Sequence, residues 1–289
     1  MKPETVHRIV QTLLRAPYFP GRNFLVERIP GWLLKRPEGK VVFTSKYGYR
    51  MEINPGEDYR GLERTLYERG VYEFGLLEWL YHHLQSGDHV MDIGANIGLI
   101  SLTAAVVVGK NGSVTAFEPH PNTRACLERN IRLNGFSNVE VSSYGLGAVE
   151  SKLAMHEEVG NRGGATLDDT AFESEGSLEI EVMALDTFVE RHAIDRLDLI
   201  KIDVEGWELQ VLLGAKKTLQ RFRPKLIVEI DDDRKLEGGD IRQMVDWICS
   251  QGYSLHKLNK GKELPGNLIE LGIVGELPAH DNLIFLPGR

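Results

Sequence analysis

Apolar runs of strand length alternate with segments of helical periodicity from residue 72 to the end of the chain. Apolar residues three or four positions apart indicate a helix, and a short uninterrupted apolar run between turn residues indicates a buried strand. The pattern predicts helices at residues 72–84, 98–108, 121–133, 207–219 and 241–249. It predicts seven strands, at residues 89–93, 113–117, 139–142, 197–202, 225–230, 253–258 and 283–286.

This alternation of strand and helix is typical of βαβ units, which assemble into a parallel sheet with helices on both faces. We therefore expect an α/β fold in residues 71–289, with a Rossmann-like, doubly wound and mostly parallel seven-stranded sheet. In such folds, ligands bind outside the carboxyl ends of the strands.

Residues 1–70 are expected to form a small α+β appendage. Apolar residues recur at helical spacing between residues 6 and 14, and short strands are predicted at residues 32–34, 41–44 and 49–53. Because Arg8 and Arg15 accompany the apolar stripe, a helix lying on a membrane surface is one interpretation. Packing of this helix against its own domain is the favoured one.

A longer piece, residues 145–194, separates the third and fourth predicted strands and contains polar, glycine-rich turns. A segment inserted above the carboxyl edge of a sheet is well placed to form a wall or lid of a binding site. We predict that role for this segment.

The first strand of the predicted sheet runs into a turn that contains Gly94 and Gly98, and then into a helix. A dinucleotide-binding turn carries three glycines so that the backbone approaches a pyrophosphate. S-adenosylmethionine has no phosphate, and its amino acid end offers an ammonium and a carboxylate. Asp92 suits the ammonium, the backbone N–H groups of residues 95–97 suit the carboxylate, and Gly94 permits close approach. The turn therefore matches S-adenosylmethionine better than a nicotinamide cofactor.

Glu118 ends the second strand, 20 residues after Gly98. A carboxylate at this position accepts hydrogen bonds from ribose hydroxyls, although a lone Glu at a strand end is more often simply solvated. Found together with the turn, Glu118 indicates a cofactor site. We assign to that site Asp92, Ile93, Gly94, Ala95, Asn96, Gly98, Glu118 and Pro119.

Several motifs follow one another in a fixed order. They are the turn at 92–98 with Ser101, Ala-Phe-Glu-Pro at 116–119, Leu-Asp-Thr-Phe at 185–188, Asp-Leu-Ile-Lys-Ile-Asp-Val-Glu-Gly-Trp-Glu at 198–208 and Leu-Gly-Ala at 213–215. With them the chain resembles the FkbM family of methyltransferases over roughly residues 72–230. The resemblance implies methyl transfer from S-adenosylmethionine, typically to an oxygen of a sugar or a natural-product hydroxyl.

The same resemblance bears on the acceptor. Asn161, Gly163, Gly164 and Thr166 match a glycine-containing loop of the family, and we assign them to acceptor contact or lid closure. The chain departs from the family at residues 231–233, where three Asp follow the fifth strand and the family often has a His.

Methylation of a hydroxyl benefits from a base. Asp203 and Glu205 follow the fourth strand beside the cofactor crevice, and we predict that one of them is the base or orients the acceptor. The alternative is that Asp203 caps the next helix and Glu205 stabilises its first turn. His120 is a further candidate base, although an exposed loop histidine is the favoured description. A Mg²⁺ site formed by Asp203, Asp231 and Asp232 is less favoured, and we predict no metal.

Composition limits the class of partner. The net charge of −8, from 34 Lys and Arg against 42 Asp and Glu, argues against a nucleic-acid binder. Cys126 and Cys249 lack metal-ligand spacing, and no apolar run reaches the roughly 20 residues of a membrane span. We expect a cytoplasmic enzyme with a small-molecule or glycan acceptor. A nicotinamide-dependent oxidoreductase and a non-catalytic interaction protein are the competing interpretations of the same fold.

Overall fold

The computed structural model describes residues 2–29, 39–158, 160–168, 178–231, 236, 239–272 and 277–288. Its helices are α1 (Pro3–Arg15), α2 (Arg22–Glu27), α3 (Leu62–Arg69), α4 (Phe74–His83), α5 (Leu99–Val108), α6 (Pro121–Asn134), α7 (Leu185–Arg191), α8 (Glu208–Leu213), α9 (Lys216–Phe222) and α10 (Ile241–Ser250). Its strands are β1 (Val41–Thr44), β2 (Arg50–Ile53), β3 (His89–Ile93), β4 (Ser113–Phe117), β5 (Val139–Ser142), β6 (Gly145–Leu146), β7 (Ser151–Glu158), β8 (Asn161–Asp168), β9 (Leu178–Met183), β10 (Leu199–Ile202), β11 (Lys225–Asp231), β12 (Tyr253–Leu258), β13 (Leu268–Glu270) and β14 (His280–Pro287).

The central sheet has, within the described residues, eight strands in the order β13-β12-β14-β11-β10-β3-β4-β5. The five strands from β11 to β5 are parallel, whereas β14, β12 and β13 join by antiparallel pairing. The predicted Rossmann-like, mostly parallel α/β fold is confirmed. The predicted number of seven strands is one short, because β13 at the edge has only three residues, too few to produce a periodic pattern.

Helices cover both faces of this sheet, which explains why its strands are continuously apolar. Leu199 of β10 packs with α4 and α5, while the next residue, Ile200, packs with helices α7 to α10. Ile227 of β11 and its neighbour Val228 divide in the same way. Each fully buried side chain of this kind contributes roughly 1.5–3 kcal/mol relative to exposure.

The single helix predicted at residues 207–219 is wrong, because the chain breaks there into α8 and α9. Gly214 lies at the break, where a Cβ would stand 2.0 Å from the carbonyl oxygen of Gly147. Asp186 of α7 then caps α9 by accepting hydrogen bonds from the N–H groups of Lys217 and Thr218, at 3.0 and 2.7 Å. Residues of the motifs at 185–188 and 213–215 therefore fix the positions of α7, α8 and α9 relative to one another.

The first helix packs against its own domain, as favoured from the sequence. Val6, Val10 and Leu14 are fully buried against β1 and the start of α5. Helix α3 was not predicted, because it has a polar majority and a short apolar stripe. The strand predicted at residues 32–34 lies outside the described residues, and no helix among the described residues is long and apolar enough to cross a membrane.

Two asparagines of α6 join strand β2 to the main domain. Asn130 is fully buried, accepts a hydrogen bond from the N–H of Glu52 at 2.7 Å and donates to the carbonyl of Ile97 at 3.0 Å. One helical turn later, Asn134 makes the equivalent pair of bonds with the backbone of Arg50 nearer the surface. The early strands are thereby fixed beside the turn that follows β3.

The segment inserted after β5 forms its own sheet, in the order β6-β9-β7-β8. At its tip, the carbonyl of Gly160 accepts a hydrogen bond from the N–H of Arg60 at 2.8 Å. The inserted segment and the loop before α3 therefore meet above the carboxyl edge of the central sheet.

We predict that Asn130→Ala lowers the free energy of unfolding by about 2–3 kcal/mol, because it leaves the Glu52 N–H and the Ile97 carbonyl buried without a partner. Asn134→Ala, with the same chemistry at a more exposed position, should lose about 1 kcal/mol or less. Urea unfolding followed by circular dichroism measures both. Equal losses for the two variants would contradict the internal anchoring role of Asn130.

Candidate functional site

A cavity opens at the carboxyl ends of β3, β4, β10 and β11, where the sequence pattern places the site. Asp92, Glu118, Asp203 and Glu229 line it from these four strand ends. The other walls come from outside the central sheet. The loop before α3 and α3 itself contribute Arg60, Leu62 and Thr65. Tyr144 lines the cavity from the connection after β5, and the inserted segment contributes Met155 and Asn161.

Gly94 marks the closest approach between two of these strand ends. Its φ is +83°, and a Cβ built on it would lie 1.8 Å from the carbonyl oxygen of Asp203. The glycine is thus required by contact with the neighbouring loop of the protein, in addition to any approach by a ligand. Asn96 and Gly98 in the same turn also have positive φ, at +50° and +99°.

The N–H groups of this turn are largely used within the protein. Gly94 and Ala95 both donate to the carbonyl of Phe117, at 3.1 and 3.0 Å, and Asn96 donates to Glu118 at 2.9 Å. The expectation that the N–H groups of Ala95 and Asn96 are available to a cofactor carboxylate is therefore wrong. The reason is that the turn crosses the end of β4, whose last carbonyl and following side chain take these donors.

Glu118 is buried and spans two loops. One carboxylate oxygen accepts the N–H of Asn96 at 2.9 Å, and the other accepts the N–H of His120 at 3.0 Å. Burial raises the pKa of Glu118 to about 7, against the opposing effect of these two hydrogen bonds. Each oxygen of a carboxylate has a second acceptor direction. Glu118 therefore fits a role in accepting hydrogen bonds from two adjacent hydroxyls in the cavity.

Asp92 is buried at the end of β3 and faces the same cavity. Its carboxylate accepts a hydrogen bond from the Ser101 hydroxyl of α5 at 2.5 Å. Burial raises the pKa of Asp92, and the bond from Ser101 opposes that rise. Ser101 thus orients the carboxylate.

The loop after β10 is organised by Glu208, which the sequence analysis did not single out. Its buried carboxylate accepts the N–H groups of Val204 and Gly206, at 3.2 and 3.1 Å. Helix α8 begins after Trp207 and has no side-chain cap, so the alternative in which Asp203 caps it is wrong. Glu205 stands before the helix with φ +56° and lines the cavity.

Asp203, whose side chain is 33% exposed, adjoins a network of charged side chains that includes two buried lysines. Lys201, almost fully buried, places its ammonium 3.5 Å from Asp203 and 3.7 Å from Glu229. The carboxyl groups of Glu229 and Asp203 are also close enough for Glu229 to raise the pKa of Asp203. The fourth and fifth parallel strands thereby contribute a lysine and two carboxyl groups to one point of the cavity wall.

The C-terminal part of the chain completes this network. Lys262, also buried, contacts Glu229, and its ammonium lies 3.0 Å from Glu73 at the start of α4. His280 places one ring nitrogen 3.3 Å from Glu229 and the other 3.4 Å from Asp231. Because β14 runs antiparallel to β11, its first residue reaches the carboxyl edge.

These contacts shift the pKa values of Asp203 and Glu229 in opposite directions. Burial and the neighbouring charge of Glu229 hold the pKa of Asp203 well above its usual range. Burial also acts to raise the pKa of Glu229, but the bond from His280 and the charge of Lys201 outweigh it and hold that pKa well below its usual range. Of the two carboxyl groups, Asp203 therefore has the higher pKa and Glu229 the lower.

His120 is not the exposed loop histidine expected from the sequence. It is buried, and its Nδ1 accepts the N–H of Thr123 at 3.4 Å, which caps α6. It therefore has a structural role at the edge of the site. Among the described residues, no group of three or more His, Cys, Asp or Glu side chains could hold a metal ion, and Asp232 lies outside that part of the chain.

At least one of the four predicted acceptor residues lies at the cavity. Asn161, at the start of β8, lines it. Gly163, Gly164 and Thr166 lie further along the same strand, and their contact with an acceptor stays a prediction. Glu73, Lys262 and His280 were missed, because residues so far apart in the chain share no motif or spacing.

The doubly wound sheet, the glycine-punctuated turn after β3 and the Glu at the end of β4 define a Rossmann-like protein of the methyltransferase class. The family model of the methyltransferase FkbM domain matches residues 92–255, more than half of the chain. The chain belongs to the FkbM methyltransferase family.

Two relatives and one solved structure are similar to this chain, and the two relatives are methyltransferases by their names. The hexuronic acid methyltransferase AglP of Haloferax volcanii is 31% identical over 191 residues, which cover 66% of this chain and 73% of AglP. Methyltransferase 1 of Beauveria bassiana is 27% identical over 184 residues, which cover 57% of this chain and 72% of that protein. The crystal structure of methyltransferase FkbM from Methylobacillus flagellatus matches 70% of this chain and 44% of its own, with a TM-score of 0.48 and 19% identity.

We predict that Gly94→Ala lowers the free energy of unfolding by several kcal/mol, on the order of 3–5, because the Cβ meets a backbone oxygen that cannot move alone. Gly87→Ala is the matched control. Gly87 has φ +91° and nothing within 4 Å of a built Cβ, so that only the cost of positive φ, about 1 kcal/mol, applies there. Thermal and urea unfolding of the two variants measure the difference, and a similar small loss in both would contradict the contact.

Proposed function

We propose that this protein transfers a methyl group from S-adenosylmethionine to a hydroxyl of a sugar, glycolipid or natural-product metabolite. The observation that carries the proposal is that two buried carboxylates, Asp92 and Glu118, converge on one cavity at the carboxyl edge of the sheet. A ligand that presents an ammonium and a pair of hydroxyls matches that donor and acceptor set.

The cavity residues fit this cofactor. Glu118 keeps acceptor capacity for the two ribose hydroxyls, and Asp92 offers a carboxylate to the ammonium. Ile93, Gly94, Ala95 and Asn96 with Pro119 form the wall between them. Gly98 precedes the first residue of α5, and its φ of +99° favours a glycine at this position.

When bound, S-adenosylmethionine supplies a methyl group on a positively charged sulfur. Asp203 lines the cavity, and its raised pKa makes it the more basic of the two carboxylates that face Lys201. In its ionised form, Asp203 would accept the proton that the acceptor hydroxyl loses on methylation. Holding the acceptor in line supplies much of the remaining rate enhancement.

The relative AglP, described as a hexuronic acid methyltransferase, supports a sugar as the acceptor. Arg60 lines the cavity from the loop before α3 and is a cation suited to a sugar acid. Asn161 lies on the same side of the cavity and adds an amide for hydroxyl groups. We propose these two residues as acceptor contacts.

The direct experiment is transfer of a labelled methyl group from S-adenosylmethionine to a panel of glucuronides, galacturonides, neutral hexosides and polyketide alcohols. We expect a labelled product from at least one sugar. Mild alkali then distinguishes a methyl ester on a carboxyl group, which is cleaved, from a methyl ether on a hydroxyl group, which survives. A nicotinamide-dependent hydride transfer with no labelled product would support the oxidoreductase, and cofactor binding without any transfer would support a non-catalytic role.

We predict that the affinity for S-adenosylhomocysteine falls roughly tenfold between pH 8 and pH 6, because the ionised form of Glu118 is the better acceptor and its pKa is about 7. Glu118→Gln should weaken binding at pH 8 by roughly tenfold or more and remove most of the pH dependence. Glu128→Gln, on the surface of α6, is the control and should keep the wild-type profile. Calorimetry at several pH values measures this, and an unchanged profile in Glu118→Gln would remove Glu118 from the site.

We predict that Asp203→Asn lowers kcat by roughly 10²-fold or more while the affinity for S-adenosylhomocysteine changes by less than about threefold, because the hydroxyl proton loses its acceptor. Glu205→Gln separates the two candidates, and we expect a smaller effect because the Lys201 ammonium lies 3.5 Å from Asp203 and the pKa of Asp203 is the raised one. Glu190→Gln, an exposed position on α7, controls for loss of charge. A larger loss in Glu205→Gln than in Asp203→Asn would transfer the role to Glu205.

A further inference from the structure

The charge of the chain is unevenly distributed. The whole sequence has an excess of acidic residues, with 34 Lys and Arg against 42 Asp and Glu. Residues 2–29 reverse the balance and contain five Lys and Arg against two Glu. Arg8, Arg15 and Arg28 of this segment are exposed. A local positive charge on an otherwise acidic protein favours anionic surfaces.

The same segment also has large apolar side chains that are exposed, in addition to those that it buries against the domain. Val6, Val10, Leu14 and Val26 are already buried against the domain. Phe24 and Leu25 of α2 remain 55% and 49% exposed, and Phe19 and Ile9 are 37% and 40% exposed. The guanidinium of Arg28 lies 4.0 Å from the centre of the Phe24 ring. We call Phe24, Leu25 and Arg28 the α2 patch.

The α2 patch has a fixed orientation. Arg22, at the start of the helix, is fully buried, and its guanidinium donates to the carbonyl of Thr44 and lies 5.3 Å from the Phe43 ring of β1. This anchor holds one side of α2 to the domain, while the adjacent residues Phe24 and Leu25 point outward.

Helix α2, which carries the patch, is a neighbour of helix α3 at the cavity wall. Helix α2 packs against α3, and Leu62 and Thr65 of α3 line the cavity. A partner bound to the patch would therefore contact α2, and only α3 separates α2 from the cavity.

We propose that the α2 patch docks on an anionic lipid bilayer. An aromatic ring and a leucine enter the boundary between headgroups and acyl chains, while arginines contact the anionic headgroups. A second copy of the chain is a poorer match, because a symmetric dimer would bring two basic patches together. This inference rests on the proposed function. If the protein docks on a membrane, its acceptor is itself anchored in the membrane, as the sugar of a glycolipid is, and reaches the cavity beside α3.

The test is cosedimentation of the full chain with vesicles, without cofactor or acceptor. We expect binding to vesicles of phosphatidylcholine with about one-third phosphatidylglycerol, little binding to phosphatidylcholine alone, and loss of binding at about 0.5 M salt, where charges are screened. The double variant Phe24→Ser with Leu25→Ser should bind roughly tenfold or more weakly, and Arg28→Gln should weaken binding to the anionic vesicles.

The control double variant is Val149→Ser with Leu264→Ser, which removes two apolar side chains that are 67% and 58% exposed elsewhere on the surface. It should bind as the wild type does. No preference for anionic vesicles, or equal losses in the two double variants, would overturn the proposal. A concentration-dependent dimer that the Phe24→Ser and Leu25→Ser changes dissociate would assign the patch to a second copy instead. Because vesicle binding requires no methyl transfer, its failure would leave the proposed function standing.

Discussion

The close approach of the turn after β3 to the loop after β10 is the constraint on which the site depends. With only a hydrogen at Gly94, the turn comes within contact of the Asp203 carbonyl, and the two neighbouring strand ends form one wall of the cavity. The turn is then held from the other side, because its N–H groups bond to the end of β4 and to Glu118. Backbone contacts, rather than a flexible glycine loop, thus fix the positions of Asp92, Glu118 and Asp203.

A second constraint is electrostatic. Two buried lysines, Lys201 and Lys262, face a larger number of carboxylates, and their ion pairs concentrate on Glu229. Removing one partner of such a buried pair leaves an uncompensated charge, which is strongly destabilising. The bond from His280 and the charge of Lys201 lower the pKa of Glu229, whereas burial and the charge of Glu229 raise the pKa of Asp203. The raised pKa of Asp203 makes it the stronger base of the two, and a base is the role proposed for it.

The sequence predicted the parts of this structure that are local. The strand-to-turn-to-helix pattern at residues 89–108 and the Glu at the end of the next strand lie within one βαβ unit, so their geometry follows from the fold class. The break between α8 and α9 was missed, since it depends on contact of Gly214 with Gly147, far away in the chain. Glu73, Lys262 and His280 were missed for the same reason, because an antiparallel strand and the start of α4 bring them to the parallel edge. The cofactor role of the site residues and the division into an appendage and a main domain stay predictions.

The most direct measurement of the central claim, that this cavity is built for S-adenosylmethionine, is a pair of calorimetric titrations of the purified protein with S-adenosylhomocysteine and with NAD. The turn has two glycines and no free run of N–H groups for a pyrophosphate, while Asp92 and Glu118 remain available to an ammonium and a ribose. The account predicts saturable one-to-one binding of S-adenosylhomocysteine and no measurable binding of NAD. Binding of NAD with equal or greater affinity, or no binding of S-adenosylhomocysteine to the folded protein, would contradict it.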